Sequence, residues 1–98
     1  MVVRIYDVVK GDTAVSYEDG KKCYDAIMSV IDKEEVEIDF SDIRFVITAF
    51  LNPIIGDLIL QKGESIMNKI MITHANSNII DKIKIVKDGA LLKREDMD

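Results

Sequence analysis

Val36 to Ile59 reads VEIDFSDIRFVITAFLNPIIGDLI, and this stretch decides the fold. Val36, Ile38 and Phe40 alternate with Glu37 and Asp39, which is the period of a strand with one buried face. Ser41-Asp42 supplies a turn, and Ile43 to Ile47 an apolar connector. A helix follows, beginning near Thr48 and running to about Lys62, with Phe50, Leu51, Ile54, Ile55, Leu58 and Ile59 apolar. Gly63 stands where a helix C-cap belongs. A strand that delivers a hydroxyl to a helix start is a place for chemistry or recognition, because free backbone N–H groups gather there. Thr is also a common helix cap, so Thr48 has a plain structural reading beside the functional one.

Asn52-Pro53 adds a second start signal inside the same helix. Asn as N-cap with Pro at the next position would begin the helix four residues later. The other outcome is an irregular first turn from Thr48, since a proline ring inside a regular helix clashes with an earlier carbonyl. The cap is the preferred reading for Asn52.

Outward from this stretch, Val2 to Val9 is rich in β-branched residues and reads as a first strand. Lys10-Gly11-Asp12 is a turn signal. Ser16 and Asp19 are spaced like a capping box, and Gly20, Cys23, Ile27, Val30 and Ile31 recur at helical spacing. That helix closes at Lys33-Glu34-Glu35. Lys69 to His74 is a third strand. Asn76 or Ser77 caps a last helix, read as running to about Asp88 and ended by Gly89. The charged tail is expected to fray from about residue 93. The order strand, helix, strand, helix, strand, helix predicts one α/β domain over residues 1–98, with a small, mostly parallel or mixed sheet.

Composition narrows the function classes. Of 98 residues, 48% are apolar, enough for a modest core at this length. Asp and Glu outnumber Lys and Arg by 18 to 13, and the net charge is −5. A duplex-binding protein needs a clustered basic face. Lys82, Lys84 and Lys87 are instead interleaved with Asp81 and Asp88. One cysteine, Cys23, excludes an internal disulfide and a multi-cysteine metal site, and suits a reducing cytoplasm. Charge interrupts the opening MVVRIYDVV too soon for a signal peptide. No apolar run approaches the roughly 18 residues of a membrane span.

The chain resembles the STAS domains of sulphate transporters and anti-sigma factor antagonists, and more narrowly the short bacterial STAS-like domains of unassigned function. Val36 to Ile43 carries the resemblance, with Phe45 at the family's aromatic position. Thr48 falls where anti-sigma antagonists carry a phosphorylatable Ser or Thr. The strand Ile70–Thr73 and the following Asn-Ser-Asn helix start also fit. The resemblance extends from Val3 to about Leu92. It implies helices packed chiefly on one side of the sheet and a non-catalytic module with a protein partner, such as a histidine-kinase-like ATPase. Ile47 before Thr48 and Ala49-Phe50 after it replace the acidic residue and the small Ser-Gly pair of the antagonist motif.

Candidate sites follow from both readings. Thr48 is the candidate phosphoacceptor. Thr48, Leu51, Asn52 and Ile55 are the candidate partner-binding surface, and exposure of Leu51 or Ile55 would mark a contact site. In a largely parallel sheet the strands' carboxyl ends share one edge, where ligands of open α/β sheets bind. Asp12, His74, Asn76 and Asn78 would converge there, which gives the alternative reading of a small-molecule or nucleotide-binding domain. No acid, base and nucleophile set is legible, so no catalytic residue is assigned. Glu37 and Asp39 read as a solvated acidic face, and neither a metal nor a cofactor is expected. Cys23 reads as a buried, inert thiol. A homodimer through a strand edge or an apolar helix face stays open.

Overall fold

The computed structural model describes residues 1–97. Two parallel sheets organise it. Strands β1 (Val2–Arg4), β3 (Val36–Asp39) and β5 (Ile70–Thr73) form a three-stranded sheet in the order β1-β3-β5. Strands β2 (Thr13–Ala14) and β4 (Phe45–Val46) form a small second pair. In the main sheet Arg4, Asp39 and Thr73 lie in one register row, and Val2, Glu37 and Met71 in another. Those two rows face outward. Val3, Val36 and Ile38 face the opposite way and are buried. The helices therefore cover one side of the sheet, as expected of an α/β layer of STAS-like type.

Helix α2 (Tyr17–Met28) begins as its sequence predicts: the Ser16 hydroxyl accepts the Asp19 backbone N–H at 3.2 Å. It ends earlier than Glu35, and tight turns based on Ile27 and Val30 carry the chain to β3. The expected first strand is shorter than its β-branched composition suggests. After Arg4 the chain turns into a short helix, α1 (Ile5–Val9), closed by Lys10 in the left-handed region. Ile5, Val8 and Val9 are spaced to meet one core from a helix, and burial of that face outweighs β propensity.

The helix after β4 starts at Thr48. It runs as α3 (Thr48–Leu51), a π-helical segment (Asn52–Asp57) and α4 (Leu58–Lys62) without leaving helical backbone angles. Asn52 is not the N-cap: its N–H donates to the Thr48 carbonyl and its φ and ψ are −53° and −49°. Pro53 explains the π turn. Lacking an N–H, it interrupts the regular ladder, and the widened turn absorbs its ring. Gly63, at φ +90°, ends the run.

A short 3-10 segment (Glu64–Lys69) leads into β5. The last helix, α5 (Ser77–Met97), is longer than its sequence signals suggest. Asn76 caps it by accepting the Ile79 N–H at 2.9 Å. Gly89 does not end it, and the helix takes in the charged tail through Met97. Lys82 ties α5 to β4, donating to the Val46 carbonyl with its ammonium 4.1 Å from the centre of the Phe45 ring.

The π segment lies between α2 and α5. Phe50, Leu51, Ile54, Ile55, Leu58 and Ile59 join Ile27, Ile38, Phe40 and Ile79 in one core. Each such side chain contributes about 1.5–3 kcal/mol by leaving water. Among the described residues no helix is long and apolar enough to cross a membrane.

Candidate functional site

Thr48 is the first residue of its helix, and Ile47, in extended backbone, occupies the cap position. The plain reading of Thr48 as a cap therefore does not hold. Its side chain is exposed, whereas Phe50 is wholly buried and turned away from it. The bulky residue that replaces a small one in the antagonist motif thus leaves the hydroxyl accessible.

From Thr48 an open groove of about 400 Å³ runs between the 48–62 helical run and α5. Thr48, Asn52, Gly56 and Leu60 recur four residues apart and form one wall. Ile85, Val86, Gly89 and Lys93 of α5 form the other. Ile85 is 63% exposed, an apolar side chain facing water in a groove framed by polar ends. Leu51 and Ile55 correct the expected surface: both are 0% exposed, because the run packs against α2 on one side and α5 on another. Their side chains serve the core. Of the four residues proposed for partner contact, Thr48 and Asn52 line the groove.

The carboxyl edge of the main sheet is built differently. Asp42 and His74, which follow β3 and β5, have left-handed backbones, as does Lys10 at the end of α1. The Asp12 carboxylate stands 3.4 Å from the Arg44 guanidinium, and the Asn76 amide donates to the Arg44 carbonyl at 3.2 Å. Asp12 and Asn76 thus meet through Arg44, but Asn76 is occupied as a cap and bridge. His74 turns elsewhere, with Nδ1 2.9 Å from Asp39 Oδ1. Asn78 is exposed in the first turn of α5. The four predicted edge residues therefore divide into separate groups.

His74 instead joins Glu37 and Asp39, two carboxylates whose strand period alone suggests only a solvated face. One ligand atom each from Glu37, Asp39 and His74 lies within 4.8 Å of the others, and among the described residues this is the group that could hold a metal ion. The strand period already placed Glu37 and Asp39 on one face. The missing signal was the register Asp39↔Thr73, which brings His74 beside them. Asp39 also braces the following turn by accepting the Ser41 N–H at 2.8 Å. That bond, with a smaller contribution from His74, holds the Asp39 carboxyl below the usual carboxylate range. Arg4 is held above its ordinary value chiefly by its hydrogen bond to Asp7. On α2, burial and then the Asp19 charge push the Cys23 thiol up to about 11, which suits a packed thiol and not a nucleophile.

Residues 19–80 match the family described as a STAS-like domain of unknown function (DUF4325). No curated protein and no solved structure matches the chain. The family match runs from the first turn of α2 through β3, β4, the Thr48 helix and β5 to the first residues of α5.

Proposed function

The chain belongs to this family of STAS-like domains of unknown function, and from that premise we propose that it is a non-catalytic regulatory module that binds a partner protein through the groove beside Thr48. One observation carries the reading. An accessible hydroxyl opens a helix at the mouth of a groove whose far wall presents an exposed Ile85. Apolar surface of that kind, framed by polar groups, suits a protein contact.

Resemblance to anti-sigma factor antagonists supplies the kind of partner, a histidine-kinase-like ATPase, and the kind of control. A phosphate on Thr48 would add about two negative charges and bulk where a partner docks. Release would follow from repulsion or from a steric clash. A cytoplasmic setting goes with this reading, as does the buried, unpaired thiol of Cys23.

Affinity capture tests it, with wild type beside Thr48→Glu and intact-mass analysis of the native protein. The proposal expects a specific partner held by wild type and released by the Glu variant. Equal capture by both variants, with no phosphate on the native chain, would remove the switch.

A small-ligand role at the carboxyl edge is the second reading. It draws on Asp42 and His74, left-handed residues that follow the carboxyl ends of β3 and β5, since strained backbone of this sort gathers at ligand sites.

A further inference from the structure

We propose that Glu37, Asp39 and His74 form a site for a divalent transition-metal ion of the zinc class on the open face of the sheet. The inference is independent of the groove beside Thr48. Rigid elements set the three residues together. Glu37 and Asp39 are two apart on β3 and share its outward face. His74 follows β5 directly, one step beyond the residue paired with Asp39. Its left-handed backbone, at φ 57°, turns the ring back over β3.

Two carboxylates stand side by side, and among the described residues neither is ion-paired with a lysine or arginine. The nearest cation by register is Arg4, across from Asp39 on β1. Arg4 gives its guanidinium to Asp7 at 2.9 Å and Asp42 at 2.8 Å instead. Arg4 acts on Asp39 only at longer range, and among the described residues the one ion-pair contact that either carboxylate makes is from Asp39 to the single histidine of the chain. A dication with a neutral imidazole would balance the two carboxylates.

Donor chemistry narrows the ion. Imidazole nitrogen with carboxylate oxygen suits zinc and its neighbours better than magnesium or calcium, which favour oxygen alone. The ion would take the place of the proton shared by His74 Nδ1 and Asp39 Oδ1, the ring keeping its proton on Nε2. Thr73 donates its hydroxyl to Glu37 Oε2 at 2.8 Å and the Ser41 N–H holds Asp39, so both carboxylates are oriented from outside the site. Ligand atoms roughly 2.1 Å from an ion stand closer together than the present spread. The exposed His74 ring and the long side chain of the half-buried Glu37 close that gap by rotation. Three protein ligands leave the fourth position to water.

The test titrates zinc chloride alone into the full chain without a histidine tag, by calorimetry and by NMR. With one histidine in the sequence, its ring signals report on this site alone. The proposal expects one ion per chain and a saturable shift of the His74 ring. His74→Ala and Glu37→Gln should each weaken binding by about tenfold or more, while Asp81→Asn, on α5, leaves it unchanged. Circular dichroism of each variant confirms the fold. No saturable shift in wild type, or equal zinc affinity in His74→Ala, would overturn the site.

Discussion

Gly20 of α2 lies against the backbone carbonyl of Phe50, so close that a β-carbon at Gly20 would overlap that oxygen and come within 2.9 Å of Pro53 Cγ. The contact lets α2 and the Thr48 helix approach backbone to backbone. It also seats the π turn, because Pro53 packs into the space a side chain would fill. Gly20→Ala therefore cannot be absorbed by a flexible side chain. It should destabilise the protein by about 3 kcal/mol through overpacking, measured by urea unfolding. A loss under about 0.5 kcal/mol, the scale of an ordinary surface change, would show that the two helices do not meet this closely.

Gly89 is the opposite case. It lies inside α5, and nothing would stand within 4 Å of an added β-carbon. Gly89→Ala should stabilise the chain by up to about 1 kcal/mol, because glycine is a poor residue for a helix interior. Thermal unfolding should shift upward by about 4 °C or more per kcal/mol gained. An unchanged or lower midpoint would argue against a helix that continues past residue 89.

Cys23 gives a prediction about pH. Burial holds its thiol protonated to about 11, above the value it has when unfolded. Unfolding above the ordinary thiol range therefore releases a proton, and stability falls as pH rises through that window toward about 11. Below the window the thiol is protonated in both states and the dependence vanishes. Cys23→Ala should flatten this alkaline loss. At pH 8 the native thiol should resist a disulfide reagent that labels the unfolded chain at once, and rapid native labelling would contradict the buried position.

Much of this architecture was legible in residues 36–62, because period 2 and period 3.6 are distinct there and each meets a buried face. Val36, Ile38 and Phe40 alternate, and the run after Thr48 does not. Where two rules competed, the sequence misled. Ile5, Val8 and Val9 suit a strand by type and a helix by spacing, and the core decided. Gly89 resembles a stop signal, yet it is enclosed by a helix whose other contacts hold it. Pro53 announced an irregular turn, and only the packing of α2 and α5 on either side determined that the helix widens instead of restarting at Asn52.

The site was less legible, since exposure depends on neighbours distant in sequence. Thr48 and Asn52 were found from the helix start. Leu51 and Ile55 were misplaced because a helix covered on two sides buries more than one apolar stripe. The α5 wall, with Ile85 and Lys93, followed from no local motif. Glu37, Asp39 and His74 meet only through the parallel register of β3 and β5.

Partner binding at the groove and ligand binding at the sheet edge make opposite demands on α5. The most direct measurement is quantitative affinity capture with three baits: wild type, Ile85→Glu in the groove wall, and Asn78→Ala at the carboxyl edge. Both substitutions fall on exposed positions of α5, so each variant should keep the wild-type fold by circular dichroism. The account predicts that a protein retained by wild type is lost from Ile85→Glu and kept by Asn78→Ala. Retention by Ile85→Glu at the wild-type level would contradict it.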